Sequence, residues 1–266
     1  MHHILSMDFH PVEENLRTSF RALAAARVQG GVVELPGVTI ASLGARFQMF
    51  NAAFLSAPTS QDDFEERLSG AREYFGTRDL AWAFWICEDW LDYPLRRKLS
   101  SLCSRYGLRL SSEMPGMIAD AIRQQRRILP ELEIRPLDAE RVLNDFRGVG
   151  SVCFHVPLDW FSEVFDERMA SERTAFRCWV GYVKGLPVAT AAAIASDGVV
   201  GLYNIATAPG HRGRGIAEAI TRHAVTESFA ALGERPVVLQ STSRGLPLYE
   251  RLGFRPVTRI LVYVSK

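Results

Sequence analysis

The chain has 266 residues, 47% hydrophobic and 23% charged, which is enough apolar material for one large domain or two ordinary ones and too much for a disordered polypeptide. Its 31 basic and 30 acidic residues leave a net charge of +1, which argues against a nucleic-acid binder held by a broad basic face. The four cysteines, Cys87, Cys103, Cys153 and Cys178, lack Cys-x-x-Cys spacing, so neither a disulfide framework nor a zinc site is expected.

His2 and His3 read as incidental on a terminus, and no metal is expected. No signal sequence opens the chain and no apolar run approaches membrane-spanning length, so the expectation is a soluble cytoplasmic protein.

Taken in order, the pattern predicts a helix from about His10 to Val28, with Pro11 near its start and Leu16, Phe20, Leu23 and Ala24 at helical spacing. Gly30-Gly31 stops it. Strands follow over Val32–Leu35 and Val38–Ala41 around a Pro36-Gly37 turn, then a third over Phe47–Leu55. Thr59 or Ser60 should cap a helix through Phe64, Leu68 and Ala71 to Tyr74. A strand over Leu80–Ile86, a helix over Pro94–Tyr106 and a strand from Leu108 complete this half.

The polar run Arg123–Arg127 and Pro130 read as a solvated linker. Beyond it the pattern predicts an opening strand and helix cap over Leu132–Asp138, helices over Ala139–Phe146 and Pro157–Ala170, and strands over Phe176–Val183, Val188–Ala195 and Val199–Thr207. Turns fall at Lys184-Gly185 and Asp197-Gly198.

After the last of these strands the sequence runs through Pro209-Gly210 into His211-Arg212-Gly213-Arg214-Gly215, and then places Ile216, Ala219, Ile220, Ala224 and Val225 at helical spacing. That is strand, tight turn, helix. The first amides of such a helix have no intrahelical acceptor and sit at the positive end of its dipole, so the turn is a ready phosphate site, to which Arg212 and Arg214 add charge. Gly213 and Gly215 carry no Cβ to keep a ligand from those amides. A Walker loop is excluded because it needs a Lys the stretch does not have. A dinucleotide fingerprint is excluded because its third Gly is Glu218 and the next strand, Pro236–Gln240, carries no acid.

The run Arg212-Gly213-Arg214-Gly215-Ile216-Ala217 resembles the pyrophosphate loop of the GNAT superfamily of acyl-CoA N-acyltransferases, Arg/Gln-x-x-Gly-x-Gly/Ala after a strand. Further on, Ser241-Thr242-Ser243-Arg244-Gly245-Leu246-Pro247-Leu248-Tyr249-Glu250-Arg251-Leu252-Gly253-Phe254 is similar to the family's second signature, a short helix with a Tyr just before Leu-Gly-Phe. The two halves also run through a similar series of elements, with Phe50-Asn51-Ala52-Ala53 answering Tyr203-Asn204-Ile205-Ala206.

The resemblance implies an α/β (α+β) fold of two GNAT-like domains, each a mixed, mostly antiparallel twisted sheet flanked by helices. Residues 1–125 would be a degenerate copy with Ser56–Gln61 in place of the glycine-arginine loop, and residues 126–266 the acyl-CoA-binding catalytic domain. The rival reading keeps the second domain and makes the first unrelated to it.

The family's activity implies acetyl-CoA as co-substrate, with an amine attacking the thioester directly in a ternary complex. Pantetheine would pair with the main chain of Ile205, Ala206 and Thr207. The pyrophosphate would rest on the amides of Arg212, Gly213, Arg214, Gly215, Ile216 and Ala217, with Ser243 also placed at the carrier. Tyr249 would be the acid that protonates the departing thiolate. No carboxylate stands on the strand for a general base. Asn204 could orient a water or the acceptor, His155 is a candidate proton acceptor expected near the acceptor mouth, and Cys153 lacks a constellation that would make it a nucleophile.

The leading expectation is an N-acetyltransferase acting on a primary amine. A non-catalytic acyl-CoA sensor or interaction protein is the alternative, and a phosphate-binding fold of another kind the weaker third reading. No nucleic-acid or membrane partner is expected.

Overall fold

The computed structural model describes residues 7–170, 175–196 and 198–266, so the expectations for His2, His3 and Asp197 lie outside the described residues. Two compact units emerge, and both are discontinuous along the chain. The first takes the chain up to Met117 together with Gln240–Arg244 and Pro256–Lys266; the second takes Ile118–Leu239 and Gly245–Arg255.

In the first unit, α1 (His10–Ala25) buries Val12, Leu16, Phe20 and Leu23 along one stripe. It stops short of Val28. The chain folds back over the helix end at Gly30, where a Cβ would stand 2.0 Å from the carbonyl oxygen of Ala24. The hairpin of β1 (Gly31–Leu35) and β2 (Val38–Ser42) turns at Gly37, whose φ is 69°.

The strand expected from Phe47 begins only at Asn51, as β3 (Asn51–Leu55), because Gln48–Phe50 forms a turn of 3-10 helix. Phe47 and Phe50 pack with ring centroids 5.6 Å apart, and Phe50 stacks on Phe20 at 5.2 Å. Residues three apart share a side in a 3-10 turn but face opposite ways in a strand, so the aromatic cluster selects the turn.

Ser60 caps α2 (Gln61–Gly76) by accepting from Asp63 N, and Asp92 caps α3 (Tyr93–Arg105) by accepting from Leu95 N at 2.8 Å. With β4 (Ala83–Cys87), β5 (Leu108–Ala119) and β11 (Arg255–Ser265), the sheet of this unit runs β1-β2-β3-β4-β11-β5. The C-terminal strand β11 lies antiparallel to β4, with Ile260 opposite Cys87 and Val264 opposite Ala83. The parallel pair β3 and β4 joins at Ala52–Phe54 and meets again further on, where Thr59 N donates to Trp90 O at 2.9 Å.

In the second unit the sheet runs β6 (Glu133–Pro136), β7 (Phe176–Val183), β8 (Leu186–Ser196), β9 (Val199–Thr207), β10 (Val237–Gln240), antiparallel except for the β9–β10 pair. Helices α4 (Glu140–Phe154) and α6 (Ile216–Leu232) pack on β8 and β9. The units therefore carry the expected mixed, mostly antiparallel sheets flanked by helices.

Helix α4 runs well past its expected end at Phe146, although Gly148 and Gly150 look like terminators. Gly150 has another task. Its missing Cβ is the space taken by the Phe161 ring of α5 (Leu158–Val164), which would otherwise come within 2.2 Å. Gly150→Ala should therefore overpack this contact and cost about 1–3 kcal/mol of stability, read as a lower denaturation midpoint; an unchanged midpoint would mean that α5 shifts aside freely. The second helix of this region, expected to reach Ala170, breaks after Val164, where the buried Arg147 guanidinium donates to Phe165 O at 2.6 Å.

Among the described residues no helix is long and apolar enough to cross a membrane, and no group of three or more His, Cys, Asp or Glu side chains is placed to hold a metal.

Candidate active site

The site is built where β9 outlives its partner. Strand β10 pairs with β9 only at Val200–Leu202, while β9 continues to Thr207. On the other edge, Ala206 pairs with Thr190 and Ala208 N donates to Val188 O at 2.8 Å, so the main chains of these two residues face β8. By the alternation of an antiparallel ladder, Ile205 and Thr207 turn theirs the other way. Of the three residues expected to meet pantetheine, Ile205 and Thr207 thus have main-chain groups on the open side, and those of Ala206 are engaged by the sheet.

Asn204 sits at the register shift between β8 and β9 with φ 49°, a left-handed conformation that Asn tolerates better than most residues. Its carbonyl accepts from Thr190 Oγ1 at 2.7 Å. Its task in the chain is thus the bulge. Asn51, matched to it in the sequence, does something else: it is buried and closes a turn by donating to Ala45 O and Ala81 O.

Past β9, Pro209–His211 form a 3-10 turn, with His211 N donating to Ala208 O at 2.9 Å. Gly213 and Gly215 then take φ values of 75° and 84°, left-handed conformations that only glycine adopts without strain, and α6 begins at Ile216. The first helical bond is donated by Ala219 N to Gly215 O. Among the described residues the amides of Gly213, Arg214, Gly215, Ile216, Ala217 and Glu218 have no acceptor. Six adjacent donors at the positive end of a 17-residue helix are what an anion requires.

The flanking side chains divide their work. Arg212 does not simply add charge: its Nε donates to Thr207 O at 3.0 Å, bracing the loop against β9, and its guanidinium also contacts the Cys153 thiol. Arg214 is exposed, with no partner among the described residues. The two glycines differ as well. A Cβ on Gly213 would enter open space, whereas one on Gly215 would stand 3.1 Å from Pro130 Cδ.

Two buried polar atoms here, Thr207 Oγ1 and His211 Nδ1, have no hydrogen-bond partner among the described residues. Such orphans are costly in a folded chain, and a bound polar ligand is one way to satisfy them.

Tyr249 lies on α7 (Leu246–Leu252), buried, with its ring edge-on to Phe254 at 5.7 Å. Burial pushes its phenol above the ordinary value, and its hydroxyl has no protein partner among the described residues. His155 is exposed just beyond α4, where a φ of 55° makes it the left-handed cap of that helix. Cys153, two residues back, touches Arg212, so the end of α4 adjoins the loop. Burial raises the Cys153 pKa in spite of Arg212, which fits a packed thiol rather than a nucleophile. Ser243 is exposed in the turn after β10, within the Gln240–Arg244 segment of the first unit.

Sequence reasoning missed Thr207 Oγ1, His211 Nδ1 and the strap Arg127–Pro130 that reaches Gly215. The signal for the strap was present in Glu218, an acid in the first turn of α6 that is buried and therefore needs cations brought to it.

Comparison with known proteins agrees with this geometry. Residues 174–256 match the model of the Acetyltransferase (GNAT) domain. A GCN5-related N-acetyltransferase from Kribbella flavida superposes with a TM-score of 0.69 at 16% identity, covering 95% of each chain. A tandem GNAT protein from the clavulanic acid biosynthesis pathway superposes with a TM-score of 0.54 at 10% identity, over 98% of this chain and 96% of that one. A GCN5-related N-acetyltransferase from Sphaerobacter thermophilus gives 0.55 at 15% identity, over 86% and 76%. No curated protein matches the chain at a significant level.

Residues 174–256 are thus similar to a GNAT acetyltransferase domain, and the chain as a whole shares its fold with GNAT proteins, one of them a tandem GNAT protein.

Proposed function

We propose that the chain is an N-acetyltransferase that moves the acetyl group of acetyl-CoA to a primary amine by direct attack within a ternary complex. The observation that carries this reading is the run of six amides at Gly213–Glu218 without an acceptor among the described residues, at the end of a strand that runs past its pairing with β10. Residues 1–125 and 126–266 are taken as two GNAT-like halves, of which the second holds the carrier. In the first unit the β3–β4 pair rejoins at Thr59, so the opening available beside β9 is closed there by the protein's own backbone.

The carrier's diphosphate rests on the amides of Gly213–Ala217, and its pantetheine pairs with Ile205 and Thr207 as an added strand would. The amine nitrogen attacks the thioester carbonyl carbon, negative charge gathers on the carbonyl oxygen, and a main-chain N–H on the open side of β9 stabilises it. The C–S bond then breaks. Tyr249 delivers its phenolic proton to the departing sulfur and is reprotonated from solvent, while the proton lost by the amine passes through water to His155. A neutral phenol suits this role, since burial keeps Tyr249 protonated throughout the neutral range. The protein acts in the cytoplasm in this reading.

Release of the CoA thiol from acetyl-CoA across a panel of primary amines tests the proposal. Amine-dependent release supports it. Binding of acetyl-CoA with no release across the panel would make the chain an acyl-CoA sensor instead.

A further inference from the structure

Segment 121–130, which the sequence presents as a solvated linker, is tied down along its length within the second unit. Arg123 N donates to Leu252 O at 2.8 Å, and Arg123 Cγ lies 3.0 Å from where a Cβ on Gly253 would be. Gln125 Nε2 donates to Arg127 O at 2.8 Å, and the Arg127 guanidinium donates twice to Glu218 Oε2, from Nε at 3.0 Å and Nη2 at 2.8 Å. Leu129 and Pro130 then pass over Gly215. The strap thus runs from the end of α7, the helix that carries Tyr249, to the first turn of α6.

Glu218 is shared. Its other oxygen accepts from Arg222 Nε at 3.1 Å, so one carboxylate serves two guanidiniums and the group keeps a net positive charge. Burial works against ionisation of Glu218, but the hydrogen bonds from Arg222 and Arg127 outweigh it and hold the carboxyl below its ordinary range. Arg127 keeps Nη1 without a partner among the described residues, and its Nη2 stands 3.8 Å from the position a Cβ on Gly215 would take. A half-exposed guanidinium with a free edge is therefore fixed beside the row of unengaged amides, while the orphaned Thr207 Oγ1 and His211 Nδ1 lie just before that row in the chain.

We propose that the strap forms part of the carrier site: Arg127, oriented by Glu218 against Gly215, is a cation supplied from outside the glycine loop that binds the carrier's diphosphate. This rests on the reading of the loop as a CoA site. A fixed fork of N–H donors suits phosphate oxygens, and Glu218 removes the freedom the Arg127 side chain would otherwise lose on binding.

Titration calorimetry with CoA, 3′-dephospho-CoA and pantetheine, on the unaltered chain and on Arg127→Gln, Arg127→Lys and Arg126→Gln, tests the assignment. Arg127→Gln should weaken CoA and dephospho-CoA alike, by about tenfold, and leave pantetheine unchanged. Arg127→Lys should recover part of the loss, and the exposed neighbour Arg126 should be silent when changed to Gln. Equal CoA affinity with only a lowered melting temperature would overturn the proposal and make Arg127 a packing strap. A loss confined to CoA would overturn the diphosphate assignment in favour of the 3′-phosphate. Failure of the unaltered chain to bind CoA at all would remove the loop reading itself, an outcome distinct from both.

Discussion

Replacing Gly215 with valine is expected to raise the Kd for CoA by about a hundredfold or more, equivalent to roughly 2.7 kcal/mol. Two effects combine at this position. Its φ of 84° is strained for any side chain and most for a β-branched one, so the peptide must rotate and turn neighbouring amides away from the anion. The new Cβ also meets Pro130 Cδ at 3.1 Å, which pushes on the strap that carries Arg127. Charge-assisted hydrogen bonds contribute about 1.5–3 kcal/mol each, so misdirecting one or two is sufficient for the expected loss. Gly213→Ala is the comparison, because its Cβ enters open space and only the backbone conformation resists it. Calorimetry that found Gly215→Val binding CoA as tightly as the unaltered chain would remove the loop from the account.

The second large effect is on turnover. Tyr249→Phe should lower kcat about a hundredfold, in the range of lost general-acid catalysis, while CoA affinity stays nearly unchanged. The ring's edge contact with Phe254 survives the change and only the hydroxyl goes. The pH dependence has a definite sign. Burial raises the phenol above its ordinary value of 10.0, the donor is active while protonated, and so any alkaline loss of kcat caused by Tyr249 falls above pH 10. Equal turnover in the Phe variant would leave Tyr249 as packing, and an alkaline limb below that range that vanished in the variant would contradict the raised pKa.

What the sequence made legible follows from what local physics dictates. Gly213 and Gly215 are written where left-handed backbone is required, Pro209 opens the turn, and the apolar spacing from Ile216 sets the helix, so strand, loop and helix could be read directly. At Gly215 a further reason to lack a Cβ, the approach of Pro130, is invisible in the loop's own sequence.

Other features depend on residues distant in the chain. The return of β11 to pair with β4 in the first unit leaves no local trace, because Ile260–Val264 would read as the same strand beside any partner. Phe47–Phe50 carry β-forming side chains, and only the ring of Phe20 makes them a turn. Arg127 looked solvated because Glu218, its reason to be ordered, lies on another element. Asn204 resembled a polar site residue, and the bulge that explains it exists only once β8 and β9 are paired.

The central claim is that a diphosphate-bearing acyl carrier is held by main-chain nitrogens at the start of α6. A crystal structure of the chain with acetyl-CoA tests it most directly. Diphosphate oxygens are expected within hydrogen-bonding distance of the amides of Gly213–Ala217, with pantetheine alongside Ile205 and Thr207 and the sulfur facing the Tyr249 hydroxyl. A carrier whose diphosphate lies elsewhere, with these nitrogens left to solvent, would contradict it.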